Sequence, residues 1–268
     1  MEEIEKDLDN TFKLIIGKNN YREYDYIYLT SNEFLKQLFS NINLQGKDVL
    51  TVIGSSDQIF YAYNNKAKTV DCFDKNKLAI YFYYLRKWLI LYEEKYYFSI
   101  NILDDIKELL NEVKCDKEEE IAFNYWKKFI SKNISDKELV FRSDINKKRN
   151  CIKDLKLVKE KLIECKTNPL FLDINEKINI EKKYDVIILS NILEYSNYGQ
   201  KLKNIYDNMK RILKEQGIVV CSHIMENEFS ESFISEKDFF KQDFNYIEFP
   251  YINYGGVKEP VGYAYIKK

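Results

Sequence analysis

The sequence predicts an α/β fold built on a parallel sheet, and three observations carry the prediction. The first is a βαβ pattern from Lys47 to Asn76. An apolar, β-rich run (Val49 to Ile53) enters a turn of small residues, Gly54-Ser55-Ser56. A helical segment, Gln58 to Asn64, follows, and a second apolar run, Thr69 to Phe73, ends on Asp74. The second is the return of strand–helix alternation from Asn168 onward. The third is spacing: an acid stands 20 residues beyond the first turn glycine. A glycine turn lets backbone N–H groups approach a ligand closely, and an acid at the tip of the neighbouring strand accepts hydrogen bonds from ribose hydroxyls. Asp74 suits that role better than Asp71, which lies inside the strand pattern. The stretch reads as a nucleoside cofactor site.

Composition narrows the classes. At 268 residues and 45% hydrophobic content the chain can bury a substantial core. Its 42 basic residues nearly balance 43 acidic ones and are interleaved with them, so nothing favours nucleic acid or an anionic membrane as a partner. Cys72, Cys115, Cys151, Cys165 and Cys221 are odd in number and contain no C-x-x-C pair, which argues against a disulfide framework and a zinc site. The opening MEEIEKDLDN has no apolar signal core, and no apolar run approaches the length of a membrane span. The expectation is a cytoplasmic protein with no metal.

In chain order, residues 1–45 read as a helical segment preceding the main domain, 46–268. Ile4, Leu8, Phe12, Ile15 and Ile16 recur at helical spacing, and Thr30-Ser31-Asn32-Glu33 offers a capping box before a helix carrying Phe34, Leu35, Leu38 and Phe39. Tyr24, Tyr26 and Tyr28 read as packing residues or as an aromatic lid, with composition favouring packing. Lys75 to Tyr97 is a long helix, apolar nearly all round, that must be buried between the sheet and another layer. Residues 99–166 read as successive helices forming an insertion after the second strand, interrupted by a charged connector from Ser135 to Asn150. Such an insertion would roof the substrate mouth, because ligands lie beyond the carboxyl ends of the strands. Leu170 to Leu172, ending on Asp173, and Tyr184 to Leu189 are the next strands. A helix from Gly199 to Glu215, capped by Gln216-Gly217, leads into a buried strand, Ile218 to Ser222. A helix around Glu236 to Phe240 and two strands, Tyr246 to Phe249 and Gly262 to Ile266, close the pattern.

This order resembles the S-adenosylmethionine-dependent methyltransferase superfamily, of Rossmann-like fold. The resemblance rests on a turn after strand one, acids after strands two and three, the run YDVIILSNILEY, and a helix ending ILKEQGIVV; it covers roughly 46–85 and 168–268. It implies a seven-stranded, mostly parallel sheet with its last strand antiparallel and helices on both faces. It also implies that the Gly54 turn (Gly54, Ser55, Ser56) holds the methionine moiety, Asp74 the ribose, Asp173 the adenine amino group, and that Ser190 and Asn191 lie beside the sulfonium. The chain departs from the family turn D-x-G-x-G-x-G: its acid is missing, and Ser56 and Gln58 replace later glycines. Asp57 is the candidate to meet the methionine ammonium instead. The VLTVIGSSDQ version with its helical insertion more weakly resembles the 3-amino-3-carboxypropyltransferases of betaine-lipid synthesis.

The implied reaction is in-line transfer from the sulfonium to a small-molecule acceptor, to which an enzyme contributes mainly positioning and exclusion of water. A hydroxyl acceptor requires a base. Glu194, Tyr195 and the single histidine, His223, are the candidates near strand ends, each also readable as a helix-entry or packing residue. A nicotinamide oxidoreductase lacks its glycines here, since Ser56 does not complete G-x-G-x-x-G. A non-catalytic module that keeps the fold is the remaining alternative.

Overall fold

The computed structural model describes residues 2–8, 31, 33–99, 101–132, 152–195, 200–222, 240–254, 257–260 and 262–268; for 194–195, 251–254 and 257–260 it describes the backbone alone. Residues 2–8 form helix α1. The elements that follow are α2 (Leu35–Ser40), β1 (Asp48–Val52), α3 (Asp57–Asn64), β2 (Thr69–Asp74), α4 (Lys77–Glu93), α5 (Ile102–Glu112), α6 (Glu120–Ser131) and α7 (Leu155–Glu164). Then come β3 (Pro169–Phe171), β4 (Tyr184–Ser190), α8 (Ile192–Tyr195), α9 (Gln200–Ile212), β5 (Leu213–Cys221), β6 (Phe244–Glu248), β7 (Tyr251–Tyr254), β8 (Val257–Pro260) and β9 (Tyr263–Lys267). Seven strands make one sheet in the order β3-β2-β1-β4-β5-β9-β6, while β7 and β8 pair as a separate antiparallel hairpin that the sequence reading did not anticipate.

Strands β1 to β5 pair in parallel, and β9 runs antiparallel between β5 and β6. This is the seven-stranded, mostly parallel Rossmann-like sheet that the resemblance implies, and it puts the reversal of strand order between β1 and β4. Period-two alternation explains how the strands serve two cores. Val49, Val186, Ile188 and Val220 face one side with α2, α3, α4 and α7; Leu50, Ile187, Leu189 and Val219 face the other with α9.

Helix α4 is buried from two sides, as its pattern requires. Ala79, Tyr83 and Ile90 pack toward the sheet, while Tyr81, Phe82, Leu85 and Trp88 pack outward into a second core shared with α1, α5 and α6. Trp126 lies inside that outer core and donates from Nε1 to the carbonyl of Tyr81 at 2.9 Å, so its indole is a packing group. The helix ends at Glu93 rather than Tyr97, because Glu94 adopts φ +53°. The connector from Ser135 to Asn150 and most of the predicted helix at 236–240 lie outside the described residues, as do Tyr24, Tyr26 and Tyr28.

Two local expectations need correction. The helix after the proposed capping box starts at Leu35, with Phe34 in the N-cap position and no side-chain cap; Glu33 points elsewhere. Gln216-Gly217 is not a helix cap. Leu213 already pairs with Tyr184, and a register shift before the Val186–Ile218 pair absorbs residues 214–217 as a bulge, with Gln216 at φ +57°. Packing fixes Gly217: a Cβ there would stand 2.8 Å from Leu213 Cγ and 2.9 Å from the Lys214 carbonyl oxygen.

Candidate functional site

The carboxyl ends of β1, β2 and β4 converge on the Gly54 turn. Gly54 leaves β1 with φ +49°, and a Cβ at that position would meet nothing within 4 Å, so the turn presents open space. Ser56 is also left-handed, at φ +71°, and its N–H donates to the Ile53 carbonyl at 2.6 Å. A serine holds this conformation at a cost that glycine avoids, so the surrounding structure must enforce it. Gly54 N–H donates to Asp74 Oδ2 at 3.1 Å and Asn76 N–H to Oδ1 at 2.9 Å. Burial raises the Asp74 pKa above its ordinary 3.8, against those two stabilising bonds. Asp71 instead accepts from Lys182 Nζ at 2.7 Å and the Tyr184 hydroxyl at 2.9 Å.

Behind the turn lies a buried ion pair. Arg86, on α4, donates from Nη2 to Asp57 Oδ1 at 3.0 Å, with the two side chains 1% and 0% exposed. Its Nη1 donates to the Ser55 carbonyl at 3.2 Å. Asp57 accepts three more bonds: from Tyr96 Oη on Oδ1 (2.8 Å), and from the Ser31 N–H (2.6 Å) and Ser55 Oγ (3.0 Å) on Oδ2. The guanidinium sits 4.9 Å from the Tyr96 ring centre and 5.4 Å from that of Phe60. Burial, the largest single influence, works to lower the Arg86 pKa, but Asp57 together with Tyr96 and Tyr97 turns the net direction upward. The effect is to clamp the Ser55-Ser56 bend from α4.

A second carboxylate enters from the N-terminal segment. Glu33 is 3% exposed. Gln58 Nε2 donates to its Oε2 at 3.0 Å, and Ser190 Oγ, at the end of β4, bonds its Oε1. Ser190 has φ +56°, its carbonyl accepts from the Ser222 N–H at 2.9 Å, and Asn191 Oδ1 lies 3.3 Å from its Oγ. Among the described residues, the buried atoms Ser56 Oγ and Gln58 Oε1 have no hydrogen-bond partner. An orphaned buried acceptor costs roughly 1–3 kcal/mol, so two at one strand-end cleft point to a ligand.

Of the sequence candidates, Gly54, Ser55, Ser56, Asp57 and Asp74 gather around one turn, and Ser190 and Asn191 are joined to it through Glu33 and Gln58. Asp173 follows β3, whose end is tied to Asp74 by the Leu172 N–H to Asp74 carbonyl bond; its carboxylate accepts from Asn175 N and Nδ2 at 2.9 and 2.7 Å. Glu194 and Tyr195 fall in α8. His223 lies outside the described residues. Sequence reasoning missed Glu33 and Arg86. For Arg86 a signal existed, since an arginine within a helix apolar on every side demands a buried acid.

No family model and no curated protein matches the chain. Among solved structures it is similar to the N-methyltransferase NodS from Bradyrhizobium japonicum bound to S-adenosyl-L-homocysteine, at 10% identity and TM-score 0.43, covering 97% of this chain and 99% of that one. A TehB-like SAM-dependent methyltransferase from Corynebacterium glutamicum is 10% identical at TM-score 0.46, with 98% and 97% covered. The glycopeptide N-methyltransferase MtfA is 7% identical at TM-score 0.48, with 96% of each chain covered. The likeness at these values is one of chain path.

Proposed function

We propose that the chain is an S-adenosylmethionine-dependent transferase, most simply a methyltransferase acting on a small molecule. The observation that carries this reading is the pairing of an open, left-handed Gly54 with a β2-terminal acid that already grips the turn. The residues fit the cofactor: space in front of Gly54 for a backbone-hugging ligand, a carboxylate on Asp74 with lone pairs left for ribose hydroxyls, and orphaned polar atoms in the cleft. When bound, the cofactor supplies a methyl group activated by its sulfonium.

The chain's own residues then divide the work. Asp74 takes the ribose, Gly54 with Ser55 and Ser56 the methionine moiety, Asp173 the adenine amino group, and Ser190 with Asn191 the flank of the sulfonium. To Asp57 we assign the shaping of the turn, because both its oxygens are committed to Arg86, Tyr96, Ser31 and Ser55. A hydroxyl acceptor would draw its base from Glu194, Tyr195 or His223.

Calorimetry and thermal shift with S-adenosylmethionine and S-adenosylhomocysteine test this. Both ligands should raise the melting temperature. Asp74→Ala should weaken binding by about 1.5–3 kcal/mol, the worth of hydrogen bonds to a charged group. No thermal or calorimetric response of the wild type to either ligand at millimolar concentration would reject the assignment. Release of S-adenosylhomocysteine marks methyl transfer, and release of methylthioadenosine marks 3-amino-3-carboxypropyl transfer.

A further inference from the structure

Between β3 and β4, residues 172–183 form no helix or strand, so their backbone groups must find hydrogen bonds elsewhere. One face of α9 supplies many of them, through Asn204, Asn208 and Arg211 at helical spacing. Asn208 is 2% exposed. Its Nδ2 donates to the carbonyls of Ile174 at 3.0 Å and Glu176 at 2.6 Å, and its Oδ1 accepts from the Ile178 N–H at 3.3 Å. Asn204 Nδ2 donates to the Asn175 carbonyl at 2.7 Å, and Arg211 donates to those of Ile178 and Ile180 at 2.5 and 2.8 Å. Ile174 and Ile178 are buried in the same core as Ile205 and Met209 of α9. This loop begins with the carboxylate of Asp173. Both bonds from Asn175 fall on Asp173 Oδ1, which leaves Oδ2 open to a donor among the described residues.

We infer that Asn208 is a positioning residue for the nucleobase: from the interior face of α9 it fixes the loop that presents Asp173 Oδ2 to the amino group of a 6-aminopurine. The inference rests on the transferase reading above and deepens it to how the site chooses its base. Asn208 is buried with both ends of its amide engaged, so it acts through the loop and not on the ligand. A hydrogen bond weakens steeply with misalignment, and a site built to bond an amino group rejects the analogue that lacks one. A slack loop therefore erodes discrimination between bases before it erodes the contacts that both bases share.

The probes are S-adenosylhomocysteine and S-inosylhomocysteine, in which a carbonyl oxygen replaces the purine amino group. Isothermal titration of the full chain should show the wild type preferring the adenosyl ligand about tenfold or more. Asn208→Ala should cut that preference about fivefold, with most of the loss falling on the adenosyl ligand. Asn204→Ala, at a half-buried position, loosens the same loop and serves where Asn208→Ala fails to fold. Asp173→Ala should abolish the preference, and adding Asn208→Ala or Asn204→Ala to it should change the ratio no further, since the loop then has no carboxylate to position. Equal weakening of both ligands by the loop variant that folds, or an unchanged ratio, would overturn the inference and leave α9 a purely structural support. A further drop in ratio on the Asp173→Ala background would overturn it as well, by separating Asn208 from Asp173. A wild type without preference, or a preference that survives Asp173→Ala alone, would reject Asp173 as the nucleobase acid and the inference with it. A wild type that binds neither ligand would instead reject the transferase reading.

Discussion

Arg86 shows how much a single side chain organises. Its guanidinium joins α4 to the first turn after β1 through Asp57 and the Ser55 carbonyl, and the rings of Phe60, Phe82, Tyr96 and Tyr97 lie against it. Removing one member of a buried pair strands the other charge in a low-dielectric interior, which typically costs about 3–5 kcal/mol. Arg86→Met should destabilise the chain by that order in urea unfolding. The double variant Asp57→Asn/Arg86→Met should recover part of the loss, and strict additivity of the two single effects would show that the pair is not coupled. Legibility at this scale followed sequence distance. Gly54 and Asp74 were readable because a βαβ unit fixes their separation and so their meeting. Glu33 meets Ser190 across 157 positions, and no local period encodes that encounter. Its nearest local pattern, the capping box, pointed to a different partner.

Among the elements, the amino-terminal ends of β1 and β4 carry two acids side by side, and the β5 bulge delivers the cation that makes this tolerable. Lys214 Nζ binds Asp48 at 2.8 Å and Asp185 at 2.9 Å. The hydrogen bond from Lys214 holds the Asp48 pKa low; at Asp185 burial works upward, and Lys214 with the Asp48 N–H prevails. Both folded values lie below the ordinary 3.8, so this stabilisation is complete above that pH and is lost as pH falls through the folded values. The Lys214 pKa is raised, so its share is present below 10.5 and is lost only as pH climbs through the folded value. Lys214→Met should therefore cost about 1 kcal/mol near neutrality, with allowance for a partly exposed network, and the difference from wild type should vanish in strong acid. A pH-independent difference in chemical denaturation would assign the effect to lost packing. The bulge also marks where element reading stops. The motif ILKEQG reads as a helix cap by composition, but pairing of Leu213 with Tyr184 and the reach of Lys214 draw those residues into the strand.

For the whole molecule, a seven-stranded, mostly parallel sheet with its last strand antiparallel was expected from the family resemblance, whereas the order of the strands and the face each residue takes emerge only in the fold. The second core was half legible. Helix α4's all-round apolarity demanded an outer layer, but that the layer includes Ile4 and Leu8 of α1 is a tertiary fact. Strand β9 pairs with β5 on one side and β6 on the other. It therefore sits inside the sheet although it is the last strand in chain order, and β6 has no sheet partner until it arrives. A growing polypeptide can form β1 to β5 as its residues emerge, yet must hold β6 unpaired until synthesis passes Lys267, a wait set by translation rather than by local propensity. Ribosome-held chains ending before Tyr263 should stay sensitive to protease in β6, while chains long enough to expose Lys267 outside the ribosome should become resistant there; equal sensitivity in both would mean that β6 settles without its neighbour.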